Sequence, residues 1–431
     1  MLHVHGFTKP IEHSNSFTKE GDFMNPLYVG IDVSSKSNVV YFMLPNGNKH
    51  SNFSVANSQD GSTQLVKRIL SALTSHSLDT VLIGLEATSV YGDNLVYFLR
   101  EDATLALFNR KIHVLNPKQV KKFKEAYNDL PKNDYVDSFV IADCLRFGRI
   151  NKEVYLGDYH YKALQNLTRA RFFAVNNLIK EKQRFMNVLF KKYSTMTQAK
   201  VFSDTFSATA LAVYDEFESA EALASMDLQE LTDFIIEKGK NRFPDPDAVA
   251  KAIQKAARSS YRLPKTVNDS VNQVLSISIT SMKALESQIK EFDKAISAQM
   301  ELLPNVLTSI PGIGPVFSAG IIAEIADINR FENHAQLAKY AGLAWKQHQS
   351  GDFEAQNTRL IKSGNRFLKY YLCEAAFSLV RCDKEYKDFY HLKYKEVNRY
   401  QHKRALALTA RKFVRLVFAL LKDNRLYRPA E

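Results

Sequence analysis

Four carboxylates in the sequence stand where a metal-binding site would need them. Asp32 lies inside the apolar run YVGIDV, and Glu86 directly follows the apolar run TVLIGL. Asp134 and Asp137 are three residues apart at the start of a helical pattern, so they share one helix face. Four carboxylates in a small volume repel one another unless cations neutralise them, and hard oxygen ligands favour Mg²⁺ or Mn²⁺. The pattern predicts a divalent-metal site suited to phosphoryl transfer.

Each of these carboxylates also has a simpler interpretation. Asp134 and Asp137 are acids at a helix N-terminus, where the helix dipole favours them, and Glu86 could lie on the surface. Asp32 is the hardest to explain in this way, because a charge inside an apolar strand is costly unless it is paired, exposed or metal-bound. Asp143 lies off the face that Asp134 and Asp137 share, and is not included in the predicted site.

Two glycine-containing motifs near the end of the chain could contact phosphate. In PGIGPV, Gly312 and Gly314 could expose backbone N–H groups in a turn like that of helix-hairpin-helix proteins; a turn that requires positive φ is the alternative. In the polar loop QHQSGD, the Ser350 hydroxyl could form a covalent phosphoester if it is activated, although such a loop could also be only a turn. Ser363 is the rival serine, and its place before a predicted helix predicts an N-cap.

Basic residues recur in two helical segments. Arg169, Arg171 and Lys182 belong to a long basic helical pattern. The segment from His391 to Arg428 holds eleven Lys or Arg against two acidic residues. A solvated helix face is the alternative to phosphate contact for both segments. The residues predicted to bind nucleic acid are the two glycines above with Arg169, Arg171, Lys182, Lys403, Arg404 and Arg411.

The elements that must position these residues are first α/β and then all-α. Three strands, the second and third joined by the turn signal PNGN, precede a β-α-β-α pattern, and together they resemble a ribonuclease H-like core. Two long helical patterns further on could pair as an antiparallel hairpin. The predicted strands are Tyr28–Val33, Val39–Leu44, His50–Val55, Thr80–Leu85 and Lys111–Leu115.

The predicted domain organisation has four parts. Residues 1–24 form a polar N-terminal extension, with Met24 as an alternative start, and residues 25–155 form the ribonuclease H-like nuclease domain. Residues 156–300 form a helical coiled-coil domain, and residues 301–431 form a mostly helical C-terminal domain that carries the serine.

Composition limits the classes of function. Among 431 residues, 58 Lys and Arg against 46 Asp and Glu give a net charge of +12, which favours polyanionic partners. The three cysteines have no metal-ligand spacing and suit free thiols in a reducing compartment. Neither an apolar run of the ~20 residues that cross a bilayer nor a signal-peptide pattern is present, so we expect a cytoplasmic protein without a membrane partner.

Six blocks, in order, make the chain resemble a known family. They are YVGIDVSSKSN, GLEATSVYG, LNPKQVKKFKEA followed by KNDYVDS, SIPGIGPVFSAGIIAEI, FENHAQLAKYAGLAWKQHQSG and NRFLKYYLCEAA. The chain is similar to the DEDD transposases of insertion sequences, the IS110 family with its relatives the pilin-gene invertases, described as bridge-RNA-guided recombinases. Asn133 and Ser138 depart from the usual Thr and Ala around the aspartate pair, and Trp345 and Lys369 replace a common Pro and Arg.

The resemblance implies a mechanism. It implies that residues 25–155 form a RuvC-like domain, in which Asp32, Glu86, Asp134 and Asp137 are a metal-binding tetrad. It also implies that Ser350 is a nucleophile that becomes joined to DNA. It also implies a homo-oligomer whose subunits share the two sites, donor and target DNA as substrates, and a structured bridge RNA as guide.

Three other functions are consistent with parts of the pattern. A RuvC-type nuclease would use the same carboxylates to hydrolyse branched DNA with water. A non-catalytic nucleic-acid-binding scaffold would leave the carboxylates idle. A kinase of the actin-like fold would need a second glycine-rich phosphate loop, and the sequence has none.

Overall fold

A computed structural model describes residues 25–87, 90–127, 130–131, 133–148, 159–303, 305–346, 349–350, 353–354 and 359–429. The predicted N-terminal extension, residues 1–24 with Met24, lies outside the described residues. The chain divides into two compact units, with the boundary between residues 156 and 157. In the described part of the chain, no helix has the length and apolar character that crossing a membrane requires.

The first unit is built on a five-stranded sheet. Its strands follow the order β3-β2-β1-β4-β5, with β1, β2 and β3 antiparallel and with β4 and β5 parallel to β1. The bounds are β1 Pro26–Val33, β2 Ser37–Met43, β3 Lys49–Ala56, β4 Thr80–Glu86 and β5 Asn109–Leu115. Each of the five predicted strands is present, and the mixed sheet fits the predicted RuvC-like fold class.

Helices cover both faces of this sheet. Leu65 and Ile69 of α1 and Leu95 and Leu99 of α2 share one apolar core with the strands, while Ile141 and Cys144 of α4 belong to a second core with Leu115. Because β1 and β4 are covered on both faces, they are nearly continuous apolar runs. The helices of this unit are α1 Gln59–Ser75, α2 Asp93–Glu101, α3 Pro117–Lys124 and α4 Asp134–Arg146.

Gly30 allows α4 to lie directly on β1. A Cβ atom at this position would come within 2.0 Å of the backbone oxygen of Ser138 and 2.5 Å of the backbone nitrogen of Ala142. We expect Gly30→Ala to lower the free energy of unfolding by about 3 kcal/mol, because helix backbone has to move to make room. Chemical denaturation followed by far-ultraviolet circular dichroism measures this loss. Ser54→Ala, an exposed change on β3, is the control, and equal midpoints for the two variants would contradict the packing argument.

The second unit is built around two long helices. They are α5 Tyr159–Lys192 and α11 Lys265–Met300, and they pack against each other. Arg171 pairs with Asp293, whereas Lys182, further along α5, pairs with Glu286, earlier in α11, at 3.2 Å. The two helices are therefore antiparallel, as the sequence pattern predicts, and a heptad coiled coil stays a prediction.

Shorter helices pack at both ends of this pair. The apolar core that contains Phe185 of α5 and Leu275 of α11 also holds α6 to α10, and the core that contains Leu164 and Ile296 holds the C-terminal helices. The shorter helices are α6 Ser194–Ala199, α7 Ala208–Glu216, α8 Ala220–Ser225, α9 Leu228–Gly239, α10 Pro246–Arg258, α12 Pro315–Ile325, α13 His334–Tyr340, α14 Arg366–Cys382, α15 Lys384–Lys395 and α16 Gln401–Asp423.

Candidate functional site

Two strand ends and one helix start position the four predicted carboxylates. Ile31 of β1 is in register with Leu85 of β4, and the next residues along these parallel strands are Asp32 and Glu86. Both side chains therefore come from the carboxyl ends of neighbouring strands, where open sheets collect ligands. Asp134 and Asp137 occupy the first turn of α4, whose N-cap is Asn133.

The structure brings three of these carboxylates together and places the fourth beside them. One oxygen from each of Asp32, Asp134 and Asp137 lies within 4.8 Å of the other two. Glu86 is outside this group of three, but its pKa is raised by burial and then by the negative charges of Asp32 and Asp137. Asp32 and the helical pair therefore share one site although they lie more than a hundred positions apart along the chain.

Negative charge is only partly compensated at this site. Burial, followed by the charges of Asp137 and Asp134, raises the pKa of Asp32 to about 6, while Lys124 acts in the opposite direction. Lys124 ends α3, and its Nζ atom lies 2.6 Å from Oδ1 of Asp137. Lys124 is a residue of the site that the sequence pattern does not reveal, because it is one of four lysines in PKQVKKFK and only its position in the fold distinguishes it.

The donor chemistry of this cluster fits a divalent metal ion. The three grouped ligands are all carboxylates, and Asp134 is exposed while Asp32 and Asp137 are half-buried, so an ion could enter from solvent. Hard oxygen donors of this kind suit Mg²⁺ or Mn²⁺. Asp32, Asp134 and Asp137 would hold the ion, with Glu86 as the further ligand beside them.

The raised pKa of Asp32 predicts a pH-dependent cost of folding in the absence of metal. The pKa of Asp32 is about 6 in the folded chain against an ordinary 3.8, so the folded state is penalised above pH 6, and the penalty vanishes below about pH 4. In EDTA at pH 7.5, Asp32→Asn should raise the free energy of unfolding by about 1 to 2 kcal/mol after allowance for solvent screening. Urea unfolding at several pH values measures the difference. A gain that persisted unchanged at pH 4 would contradict this explanation.

Asp143 has a different environment from that of the tetrad. It is buried on α4, accepts a hydrogen bond from the Tyr127 hydroxyl, and lies 2.7 Å from Nε of Arg146. These two contacts compensate the negative charge of Asp143 without a metal ion, in keeping with its exclusion from the predicted site.

The three basic residues predicted on α5 all form ion pairs within the second unit. Arg169 donates two hydrogen bonds, of 2.7 and 2.9 Å, to Glu324, whose side chain is fully buried. Arg171 pairs with Asp293 and Lys182 with Glu286. The structure therefore gives these side chains a role in packing α5 against its neighbours, and phosphate contacts by them stay a prediction.

The basic residues predicted on α16 differ in their surroundings. Arg404 pairs with Glu396 at 2.8 Å, and Arg411 donates to Nδ1 of His334 at 3.3 Å. Lys403 is exposed. Nucleic-acid contact by these three residues also stays a prediction.

The two glycines of PGIGPV occupy different backbone conformations. Gly312 has φ +81° and accepts a hydrogen bond from the Ser378 hydroxyl at 2.7 Å, and a Cβ atom there would lie 2.8 Å from Sγ of Cys382. The positive φ that was the alternative explanation is therefore present at Gly312. Gly314 is the N-cap of α12, and a Cβ atom there would meet nothing within 4 Å. Phosphate binding at this turn stays a prediction.

Ser350 lies in a short hairpin. It ends β6, Gln349–Ser350, and pairs with Phe353 of β7, Phe353–Glu354. The neighbouring Gly351 and the rest of the polar loop lie outside the described residues. The predicted N-cap role of the rival serine, Ser363, is wrong, because α14 starts at Arg366 and Asn365 caps it with hydrogen bonds from the backbone N–H groups of Phe367 and Leu368.

Comparisons with known proteins agree with the geometry. The family model of DEDD transposases of the IS110 type matches residues 29–193, and the model of the transposase IS116/IS110/IS902 family matches residues 305–391. Together these models match more than half of the chain and contain all four tetrad carboxylates and Ser350.

Relatives from insertion elements cover much of the chain. The IS116 protein of Streptomyces clavuligerus, described as an uncharacterized 44.8 kDa protein, is 27% identical over 76% of this chain and 80% of its own length. The IS900 protein of Mycobacterium paratuberculosis is 24% identical over 71% of this chain and 75% of its own length. The transposase for insertion sequence element IS1111A of Coxiella burnetii is 28% identical over 37% of this chain and 44% of its own length. With this sheet, this carboxylate cluster and both matching regions, the chain belongs to the IS110 family of DEDD transposases.

Proposed function

We propose that this transposase cuts DNA at a divalent-metal centre held by Asp32, Glu86, Asp134 and Asp137, and rejoins it through a covalent bond to Ser350. The observation that carries the proposal is the group of three carboxylate oxygens within 4.8 Å of one another, with the Glu86 carboxylate nearby. A bound Mg²⁺ or Mn²⁺ would supply Lewis-acid stabilisation of the charge that develops on the phosphate oxygens.

The chain's own residues have distinct parts in this proposal. The ends of β1 and β4 hold Asp32 and Glu86 on a rigid sheet, and the contact at Gly30 fixes α4 so that Asp134 and Asp137 face them. Lys124 holds Asp137 through its ion pair and offsets part of the repulsion among the acids. Rigid support of this kind is what a site needs if it is to position reacting groups without reorganisation.

The strand-transfer step uses Ser350. Its hydroxyl oxygen attacks the scissile phosphorus, a bond from serine oxygen to phosphorus forms, and the bond from phosphorus to the departing deoxyribose oxygen breaks. The serine proton ends on the departing oxygen. Attack by a strand-end hydroxyl on the serine-linked phosphate then reverses the chemistry and releases the serine. This role for Ser350 is supported by the resemblance of its loop to the family pattern and by the match of residues 305–391.

The proposal includes a homo-oligomer and a structured RNA. The resemblance supports both, since related recombinases complete their active sites between subunits and choose DNA by base pairing with an element-encoded RNA. The net charge of +12 suits a chain that binds several nucleic-acid strands.

Metal dependence and a protein-linked product together test the proposal. Purified full-length chain is incubated with DNA carrying the element's ends and with the element's non-coding RNA, in Mg²⁺, Mn²⁺ or EDTA. We expect cleavage in either metal and none in EDTA. We also expect a DNA species that migrates more slowly than free DNA on a denaturing gel and that disappears after protease digestion. Cleavage without that shifted species would favour a RuvC-type hydrolase, and no cleavage in either metal would favour a non-catalytic scaffold.

A further inference from the structure

A cavity opens at the same edge of the sheet as the carboxylates. Strands β1, β3 and β4 are parallel to one another, so their carboxyl ends, which lead to Ser35, Asn57 and Val90, reach one edge. The cavity has a volume of about 490 Å³, within the range usual for small-molecule sites. Its lining comes from these three connections together with α1 and α2.

The lining of this cavity is polar, aromatic and uncharged. Among the described residues that line it, Ser35, Gln59 and Asn94 supply hydroxyl and amide groups, and Leu95 and Phe98 supply apolar surface. None of the described lining residues carries a charge at neutral pH. The first turns of α1 and α2 border the cavity, but the side chain of Ser58, the N-cap of α1, accepts from the Gly61 N–H, and none of the described lining residues is Lys or Arg. The amide, hydroxyl and aromatic groups suit a neutral, planar ligand with hydrogen-bonding edges.

Hydrogen bonds fix one wall of the cavity. The Asn57 amide nitrogen donates to the backbone oxygens of Ser34, at 2.8 Å, and Tyr91, at 3.2 Å. Asn57 therefore ties the connection after β1 to the segment after β4, close in sequence to Asp32 and Glu86 respectively. Because Tyr91 is held through its backbone while its side chain is 51% exposed, its ring is available for stacking beside a preformed cavity.

We propose that this cavity takes an unpaired nucleobase of the nucleic-acid strand bound at the carboxylates, with Tyr91 stacking on the base and the Gln59 and Asn94 amides bonding to its edge. This inference rests on the proposed function, since it assumes that a strand lies along this edge of the sheet. An enzyme that exchanges strands has to hold bases that have lost their partners, and aromatic rings beside amides bind such bases. The base can belong to DNA or to RNA, which present the same chemistry.

Removal of single bases tests the cavity directly. Two series of single-stranded oligonucleotides, one of DNA and one of RNA, carry a single abasic site at a different position in each member. The full chain is titrated against each of them in EDTA, and binding is measured by fluorescence anisotropy. We expect one abasic position to weaken binding by roughly tenfold, the size of a lost base-aromatic stack. The combined variant Tyr91→Ala and Asn94→Ala should bind intact strand roughly tenfold more weakly and lose its sensitivity to that abasic position. The nucleic acid that shows the effect identifies the source of the base.

Matched variants make the result decisive. Gln64→Ala with Asn52→Ala removes two exposed amides of the same unit that do not line the cavity, and this variant should keep the sensitivity to base removal. Tyr91→Phe keeps the ring and should bind as the parent chain does. Equal sensitivity to base removal in the parent and in the combined variant would overturn the inference. Because binding is measured in EDTA, this failure is separate from a failure of metal-dependent cleavage.

Discussion

Replacement of Asp32 by Asn is expected to lower the rate of Mg²⁺-dependent DNA cleavage by roughly a thousandfold or more, while the chain remains folded. Asp32 is the strand-borne member of the three grouped carboxylates, and its amide replacement removes one anionic ligand without a change in side-chain size. The fold should not suffer, because Asp32 is already penalised by burial and by the charges of Asp137 and Asp134. Single-turnover cleavage assays with parent and variant measure the effect.

The matched control is another acid at a helix start. Asp60 lies exposed in the first turn of α1, as Asp134 does in the first turn of α4, but Asp60 is outside the carboxylate group. Asp60→Asn should cleave DNA at the parent rate. If Asp32→Asn unfolds in EDTA, or cleaves as fast as Asp60→Asn, the carboxylate group is structural and the proposed metal centre is wrong.

The features of the site that depend on residue spacing within one strand or one helix were predictable from the sequence. Asp32 is recognisable as a charged residue within a strand that is otherwise apolar, and Glu86 as the charged residue that ends the apolar run of β4. Both strands are buried on both faces, which leaves few other places for a carboxylate. Spacing on one helix face predicted that Asp134 and Asp137 lie together, but the helix dipole alone also explains that pair, and only their combination with Asp32 and Glu86 favoured a metal site. The turn signal PNGN predicts the antiparallel pairing of β2 with β3, and the β-α-β pattern favours the parallel pairing of β4 with β5; the position of β1 between β2 and β4 was not among the predictions.

The parts that depend on distant partners were not predictable. Arg169 has the pattern of a phosphate-binding residue on a basic helix, but its partner Glu324 lies 155 positions away, and no local period reveals that ion pair. The same holds for Lys124, because only the packing of α3 against α4 brings its side chain to Asp137. A basic residue on a helix can pair with a phosphate of a ligand or with a carboxylate of the same chain, and only the folded structure shows which of the two it contacts.

Replacement of Ser350 by Ala is expected to abolish the protein-linked DNA species and strand exchange, a loss of more than roughly a thousandfold, since no other atom at that position could form the phosphoester. The change removes one oxygen from a residue that pairs with Phe353 through its backbone, so the hairpin of β6 and β7 should keep its register. Denaturing gels before and after protease digestion measure the linked species, and a recombination assay measures strand exchange.

Ser363→Ala is the matched control, because it changes the rival serine, which is exposed and does not cap α14. In the recombinase mechanism this variant keeps both the linked species and strand exchange. Loss in Ser363→Ala with retention in Ser350→Ala would assign the nucleophile to Ser363 instead. If Ser350→Ala still cuts DNA at the parent rate and the parent chain never forms a linked species, the carboxylates act with water alone, and the enzyme is a hydrolase whose serine loop only binds its substrate.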